Sequence, residues 1–393
     1  MRHNWSYKTI GDVCSSVTDG SHNPPKGIDI SNYRMISSQN IFDDHLIITD
    51  DNVRFLSKES HIIEDKRTKL QKDVVLLTIV GTIGRACVLS GKEGPLTLQR
   101  SVAALRPSEE ILPRYLMHTL IGNRTTLKQE AHGIVQKGLY VKQVSALRIP
   151  VPPIEIQKKV VAELDKINEL IRLKKEQLSD YDKLAQSIFY DMFGDPVENG
   201  KGWGFLSMEE VCSHIVDCPH STPKKVDYKT NYPCIRTSEL RGGTISWDSM
   251  QYLEEEEYII RIARLQPIAG DIVFGREGTI GDAVILPKGY SFSLGQRTML
   301  LRADSSIISN VYLHRVILSE WVKQQIDYVN VSSTVAHVNI KDFKKFTIPI
   351  PPLSLQQTFA QRIELIEKQK AEIKSTIANL ETLLASRMLY WFD

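Results

Sequence analysis

An α+β protein built as an internal repeat is what this sequence predicts, and three observations predict it. The run Ile-Pro-Val-Pro-Pro at 149–153 returns as Ile-Pro-Ile-Pro-Pro at 348–352, 199 positions later. Each run opens a long stretch with apolar residues at helical spacing. The segment before each run mixes short β-rich stretches, Gly/Pro turns and a few short helical patterns, the signature of an α+β domain. A repeat of this size sets the architecture before any motif is weighed. The expected division is a mixed domain over 1–150, a central helix over 151–196, a second mixed domain over 197–349 and a C-terminal helix over 350–393.

Proline fixes φ and lacks an N–H, so each proline run is extended and delivers a helix start at a set angle. Beyond the first run, apolar residues fall at Val160, Leu164, Ile167, Ile171, Leu178, Tyr181, Ala185 and Ile188. Steps of four and three make a heptad seam, interrupted by Lys174. The second stretch repeats it with Phe359, Ile363, Ile366, Ile373, Ile377, Leu380 and Leu384, interrupted by Lys370 and Arg387. Gly194-Asp195-Pro196 stops the first helix. A helix of roughly 36 residues, about 55 Å long, with so narrow a seam needs a partner. It could lie on its own domain, or the two helices could pair with each other. Antiparallel pairing is favoured, because it separates the two mixed domains and leaves neither against a bare seam; the expected form is a coiled coil with a pseudo-two-fold repeat.

Composition narrows the classes. Hydrophobic content of 42% and charged content of 24% are ordinary for a globular chain. No apolar run approaches the ~20 residues of a membrane helix. Five cysteines without a C-x-x-C point to reduced thiols and a cytoplasmic location. The net charge of +2 is unevenly spread: residues 1–150 hold 20 basic against 15 acidic side chains, and residues 151–199 hold 7 against 10. A protein that grips many phosphates alone would be more basic.

The mixed segments match in order. Asp19-Gly20-Ser21-His22-Asn23-Pro24-Pro25-Lys26 answers Asp217-Cys218-Pro219-His220-Ser221-Thr222-Pro223-Lys224. Such a loop is either a proline-built turn capped by Asp and Ser, or a loop presenting His and Lys to an anion. His22 and His220 lack a second ligand at a suitable spacing, so no metal site is assigned. Strand-like runs then empty into polar tips, Ser37-Ser38-Gln39-Asn40 against Arg236-Thr237-Ser238-Glu239. The frame is kept and the tips are swapped, as in two readers of different sequences or after simple surface drift.

The strongest match is Gly81-Thr82-Ile83-Gly84 with Gly278-Thr279-Ile280-Gly281, followed by Gln99-Arg100 and Gln296-Arg297. Two glycines three apart between β-rich runs signal a tight turn between strands. Arg85 and Arg276 beside these turns could touch phosphate. Short helical patterns at 113–120 and 311–318 follow. Polar loops at 132–138 and 331–337 come next, then the turns at Lys142 and Lys341. No P-loop, Rossmann fingerprint, nucleophile elbow, zinc-protease or kinase motif is present. A duplicated chain without a catalytic signature reads as a recognition or assembly protein.

In this order the motifs resemble the specificity (S) subunit of type I restriction-modification systems. The D-G-S-H-x-P-P loop, the paired G-T-I-G turns, the proline runs ending in Gln157 and Gln356, and the Phe193-Gly194-Asp195-Pro196 exit carry the resemblance, which spans essentially the whole chain. The second loop departs from the first, with Cys218-Pro219 where the first has Gly20-Ser21.

The resemblance implies that the two mixed segments are target recognition domains, each reading half of a split, asymmetric site in double-stranded DNA. The helix pair would act as a ruler and dock two adenine methyltransferase subunits, with restriction (motor-nuclease) subunits joining them. The chain would catalyse nothing and bind no cofactor; S-adenosylmethionine, ATP and Mg would belong to the partners. Reading base edges takes polar side chains on loops. Candidates are Ser38, Gln39, Asn40, Gln99, Arg100, Arg236, Thr237, Ser238, Gln296 and Arg297. Ser21, His22, His220, Lys26, Lys137, Lys142, Lys224, Lys225 and Lys341, with Arg85 and Arg276, are placed to meet the backbone. The alternative is a coiled-coil adaptor with two modules that bind no DNA.

Overall fold

In the computed structural model the described residues are 5–132, 138–330 and 337–392. They form two compact units, one of Met1–Glu176 with Ser375–Asp393, the other of Gln177–Lys374. The first holds an antiparallel sheet ordered Cys14–Asp19, Val102–Pro107, Val75–Thr78, Ala86–Val88. Beside it in the chain order lies a three-stranded sheet, Arg54–Leu56, Tyr33–Ile36, Leu96–Leu98, whose last pair is parallel. The second unit repeats the four-stranded sheet with Cys212–Asp217, Thr298–Ala303, Ile272–Gly275 and Ala283–Ile285. Its other sheet gains a strand, Lys225–Val226, outside Gln251–Leu253, Pro233–Ile235 and Ser293–Leu294. The predicted α+β class is what the chain adopts.

The proline runs are edge strands, as their missing N–H groups require. Arg148–Val151 pairs antiparallel with Ser6–Thr9, and Thr347–Ile350 with Gly204–Ser207. The helices that follow span Ile154–Phe193 and Leu353–Phe392. A buried glutamine fastens each start. The Gln157 amide donates to the carbonyls of Pro152 and Glu110, both at 2.9 Å, and its oxygen accepts from the Leu112 N–H at 2.8 Å. Gln356 donates to Pro351 at 2.9 Å and Ile307 at 3.4 Å, and accepts from Ser309 N–H at 2.8 Å. Tyr115 and Tyr312, both fully buried, donate to the carbonyls of Pro150 and Pro349. These bonds satisfy carbonyls that the proline geometry leaves without strand or helix partners.

The two long helices pair antiparallel within each unit. In the first, Glu163 meets Arg387 and Lys175 meets Glu381, so the partner number falls as the helix advances. In the second, Asp182 meets Lys370, and Phe189 and Phe193 meet Phe359. Each helix therefore contributes its opening turns to one unit and its closing turns to the other.

Val160, Leu164, Ile167, Ile171, Phe359, Ile363, Ile366, Ile373 and Ile377 are buried as predicted, each side chain contributing about 1.5–3 kcal/mol. Leu178, Leu380 and Leu384 are half-buried, as are Tyr181 and Ile188. Past Ala185 the deepest residues are Phe189 and Phe193, a step of four where the heptad expected Ile188. At 3.6 residues per turn, a heptad frame drifts and the next face takes over. The polar interruptions are paired: Arg387 and the Trp391 indole both donate to Glu163, and Lys370 donates to Asp182 and Glu367 at 2.8 Å each. Burial would lower the Lys370 ammonium, but those two carboxylates override it and hold its pKa above the ordinary lysine value. All five cysteines are free and buried, and no helix among the described residues is long and apolar enough to cross a membrane.

Candidate nucleic-acid interface

Four loops converge at one end of the four-stranded sheet in each unit. In the first unit they are 19–22, 37–40, 79–84 and 99–101. Ser21 N–H donates to Leu98 O at 2.8 Å and Arg100 N–H to Ser21 O at 2.9 Å, a short parallel bridge. Gln99 N–H reaches Ile36 O at 2.9 Å, and Ser38 N–H reaches the Ser101 hydroxyl at 3.0 Å. The Thr82 hydroxyl completes the ring at Ser38 O, 3.5 Å.

The second unit repeats part of this, without the Ser21 bridge, since Pro219 at the matched position has no N–H. Cys218 N–H donates to Thr298 O, Gly295 N–H to Ile235 O, and Arg276 N–H to Arg297 O. The Thr279 hydroxyl donates to Thr237 O at 3.0 Å, and the Gln296 amide to His220 O at 2.9 Å. All four glycines of the two G-T-I-G turns have φ between 76° and 89°, the left-handed region that costs glycine nothing. The predicted tight turn is present in both units, and it brings a polar residue of one loop against the backbone of the next.

The loops are pinned by different ions in the two units. Asp19 is buried; it accepts from His22 Nε2 at 2.6 Å and pairs with Arg67 of helix Lys58–Thr68. Asp217 sits 3.4 Å from His220 but is held by Arg276 at 2.8 Å. Helix Glu255–Arg261 offers Arg261 instead, and that buried guanidinium donates to the carbonyls of Leu294, Ser221 and Pro219. Arg67, Arg261 and the two anchoring aspartates were not singled out from the sequence. The aspartates stood in the matched loop motif; the arginines lie on helices with no paired motif to mark them.

Several expected contact residues have side chains already bonded within the protein. Asn40 is fully buried: its amide donates to Ile47 O, Asn52 O and Asn52 Oδ1, and its oxygen accepts from Ser37 N–H. No group of its side chain is left for a base. Arg85 lies over the Phe42 ring, 4.9 Å from its centroid, and donates to Ile41 O. Arg276 is 12% exposed and committed to Asp217. Arg236 is chelated by buried Glu239 through two bonds and donates to Ser249 O. Each guanidinium or amide here is bonded to an acceptor within the protein, a use that a lone sequence position does not reveal.

The remaining candidates stay at the surface. Gln39 is exposed and donates to Asn52 O at 2.7 Å; Gln99 is half-buried and Arg100 exposed beside Ser21. Ser38 and Thr237 are half-buried at the loop ring, Ser238 is exposed, and Gln296 is half-buried. Arg297 is exposed, with φ of 67°, and leans on Glu277 at 3.3 Å. His22, His220, Lys26, Lys224 and Lys225 are exposed on the same or adjoining loops. Lys142 and Lys341 are exposed on the short helices Val141–Ala146 and Ile340–Phe343. Lys137 lies outside the described residues. No cluster of three or more metal-ligating side chains occurs among the described residues.

Comparison with known proteins agrees on one family. The type I restriction modification DNA specificity domain matches residues 2–180 and again 200–382. The MjaVIII type I restriction enzyme specificity subunit of Methanocaldococcus jannaschii is 22% identical over 337 residues, covering 80% of this chain and 78% of its own. The EcoBI specificity subunit of Escherichia coli is 27% identical over 149 residues, 36% of this chain and 31% of its own. Among solved structures, the S subunit of a type I restriction-modification system from M. genitalium aligns at a TM-score of 0.58 and 11% identity, covering 99% of this chain and 96% of that one. A chain from a structural study of complex assembly and conformational transition in the type I R-M system aligns at 0.55 and 16% identity, covering 98% and 96%. These last two likenesses are likenesses of fold.

Proposed function

The chain belongs to the type I restriction modification DNA specificity family, and on that premise we propose that it is a non-catalytic subunit that reads a split, asymmetric site in double-stranded DNA. The observation that carries this reading is the loop ring built twice around the same turns, with matching bonds from Gln99 and Gly295 N–H to Ile36 and Ile235 O and from the Thr82 and Thr279 hydroxyls to Ser38 and Thr237 O, but with different side chains. A conserved frame with changed tips is what two readers of unlike half-sites need, since sequence is read by side chains at base edges while the frame sets register. Gln39, Gln99, Arg100, Ser238, Gln296 and Arg297 are the proposed base-facing set. Lys26, Lys142, Lys224, Lys225 and Lys341, with Ser21, His22 and His220, would meet phosphates and sugars.

The antiparallel helix pair is proposed to set the unread gap and to dock two methyltransferase subunits, to which restriction subunits are added. The methyl donor, ATP and Mg would sit in those partners. The modest net charge fits a reader that shares its phosphate grip with partners.

The test is DNA affinity of the chain in complex with the methyltransferase encoded beside it, measured against salt. The proposal expects a sequence-specific affinity that falls steeply as salt rises, and that weakens in R100A and R297A. Stable assembly with no sequence-specific DNA binding would favour the adaptor reading instead. A four-residue insertion in both long helices, ~6 Å of rise, is expected to lengthen the unread gap and leave the half-site bases unchanged.

A further inference from the structure

The β-hairpin after the first loop ring differs between the units in a way that leaves a slot empty. In the first unit it is Ile41–Leu46, with Asp43 and Asp44 at its tip. Both acids are used: Asp44 pairs with Arg114 at 2.7 Å, and Asp43 pairs with Arg124. Asp165 of the long helix joins them, accepting from Arg114 and from His118, whose side chain is fully buried. The cluster is closed, with three carboxylates against three basic side chains.

The second hairpin, 240–245, matches at the same 199 offset, and its tip is Gly242-Gly243. No acid replaces Asp43 or Asp44. The helix behind it has also changed. Tyr115 and Tyr312 make equivalent bonds, which aligns His118 with Arg315 and Arg114 with Val311. A histidine that binds an acid has become an arginine that, among the described residues, has no hydrogen bond or ion pair. The nearby acids Asp182 and Glu367 are both bonded to Lys370 at 2.8 Å. A cleft of about 510 Å³ opens there, lined by Arg315, Lys370 and Lys374, by Asp182, which Lys370 holds, by Gly242, and by apolar Leu178 and Phe189.

We propose that this cleft binds a carboxylate carried on a short apolar stem, with Arg315 as its main ligand and Gly242, where a Cβ would meet no atom within 4 Å, leaving room that Asp43 occupies in the other repeat. A half-buried guanidinium is matched by a bidentate carboxylate. Lys374 at the rim adds attraction, and the Leu178 and Phe189 walls accommodate methylenes. Glutamate presents this chemistry, whether as a free amino acid derivative or as a side chain of another protein. Burial draws the Arg315 guanidinium below its ordinary pKa against the pull of Glu367 and Asp182, as expected of a cation those two acids do not neutralise. The inference does not depend on how the loop rings read DNA.

The experiment is a titration of the full chain with N-acetylglutamate, following the Arg315 Nε–H resonance, assigned by its loss in R315K. A saturable shift, absent with N-acetylglutamine and accompanied by loss of calorimetric binding in R315M, is expected. G242D, which returns an internal acid to the hairpin where a Cβ meets no atom within 4 Å, should weaken binding at least tenfold. Adding the methyltransferase subunit separates the sources. If it shifts the same resonance and blocks N-acetylglutamate, the natural carboxylate is a side chain of that partner; if binding persists in the complex, it is a small molecule. An equal response to N-acetylglutamine, or binding retained in R315M with an unchanged unfolding temperature, overturns the proposal. So does the absence of any response to both N-acetylglutamate and the partner.

Discussion

The two units share their bones and differ in their ions. The bonds that recur are those of the frame: Gln157 and Gln356 at the helix starts, Tyr115 and Tyr312 on the proline carbonyls, and, in the loop rings, Gln99 and Gly295 N–H to Ile36 and Ile235 O and the Thr82 and Thr279 hydroxyls. Apart from the His22–Asp19 and His220–Asp217 pairs, the charge pairs around the loops and hairpins differ. Arg67 holds Asp19 in one unit, while Arg276 holds Asp217 in the other. Acids fill the hairpin tip of the first unit, and glycines stand there in the second. Backbone satisfaction is obligatory in any copy of the fold, so it survives duplication. Ion pairs at half-exposed positions contribute little to stability, so they are free to diverge and carry specificity.

The largest effects test the shared part. Q157L and Q356L each leave buried N–H and carbonyl groups without partners, and each is expected to cost about 3 kcal/mol in a denaturant titration. The two losses should agree within about 1 kcal/mol; a large loss in one variant alone would break the equivalence of the two frames.

A smaller effect is expected of the second unit alone. His314 is buried against the Ala283 carbonyl, and burial depresses its pKa from 6.5 to about 4, against a smaller upward pull from that hydrogen bond. The unfolded chain takes up this proton first as pH falls, so its contribution is full above about pH 6.5 and is lost on the way down to pH 4. The loss reaches about 2 kcal/mol at pH 5. The first unit has Met117 at this place, so H314M should remove that part of the acid sensitivity. An unchanged slope between pH 7 and 5 would contradict the assignment.

The smallest effects come from the helix seam. Lys370, buried and bonded to two carboxylates, should cost about 1 kcal/mol when changed to alanine. K175A removes a pair in which both side chains are more than half exposed, and should cost no more than about 0.3 kcal/mol. Thermal unfolding of both variants sets them apart, and equal costs would mean that burial of the seam does not govern its ion pairs.

Much of this was legible because duplication doubles every signal. The proline runs, the G-T-I-G turns and the loop at Asp19 each had a partner to confirm them. The expected seam is buried as far as Ile171, half-buried at Leu178 and Tyr181, and passes to Phe189 beyond Ala185, because a heptad frame cannot follow a helix that long. The loop ring was foreseen as a set of loops, but not the part each side chain plays in it. Asn40 looks like any polar tip until Ile47 and Asn52 surround it. Arg67 and Arg261 act through contacts 48 and 33–42 residues away in sequence, distances at which no local pattern speaks.

The most direct measurement is the map of N6-methyladenine over host DNA when the chain and its neighbouring methyltransferase are expressed together, repeated with Q296A/R297A in the second loop ring. The account predicts one asymmetric split motif that needs this chain, with only one half of the motif relaxed or altered by the double substitution. Methylation that does not depend on the chain, or a substitution that changes both halves together, would contradict it.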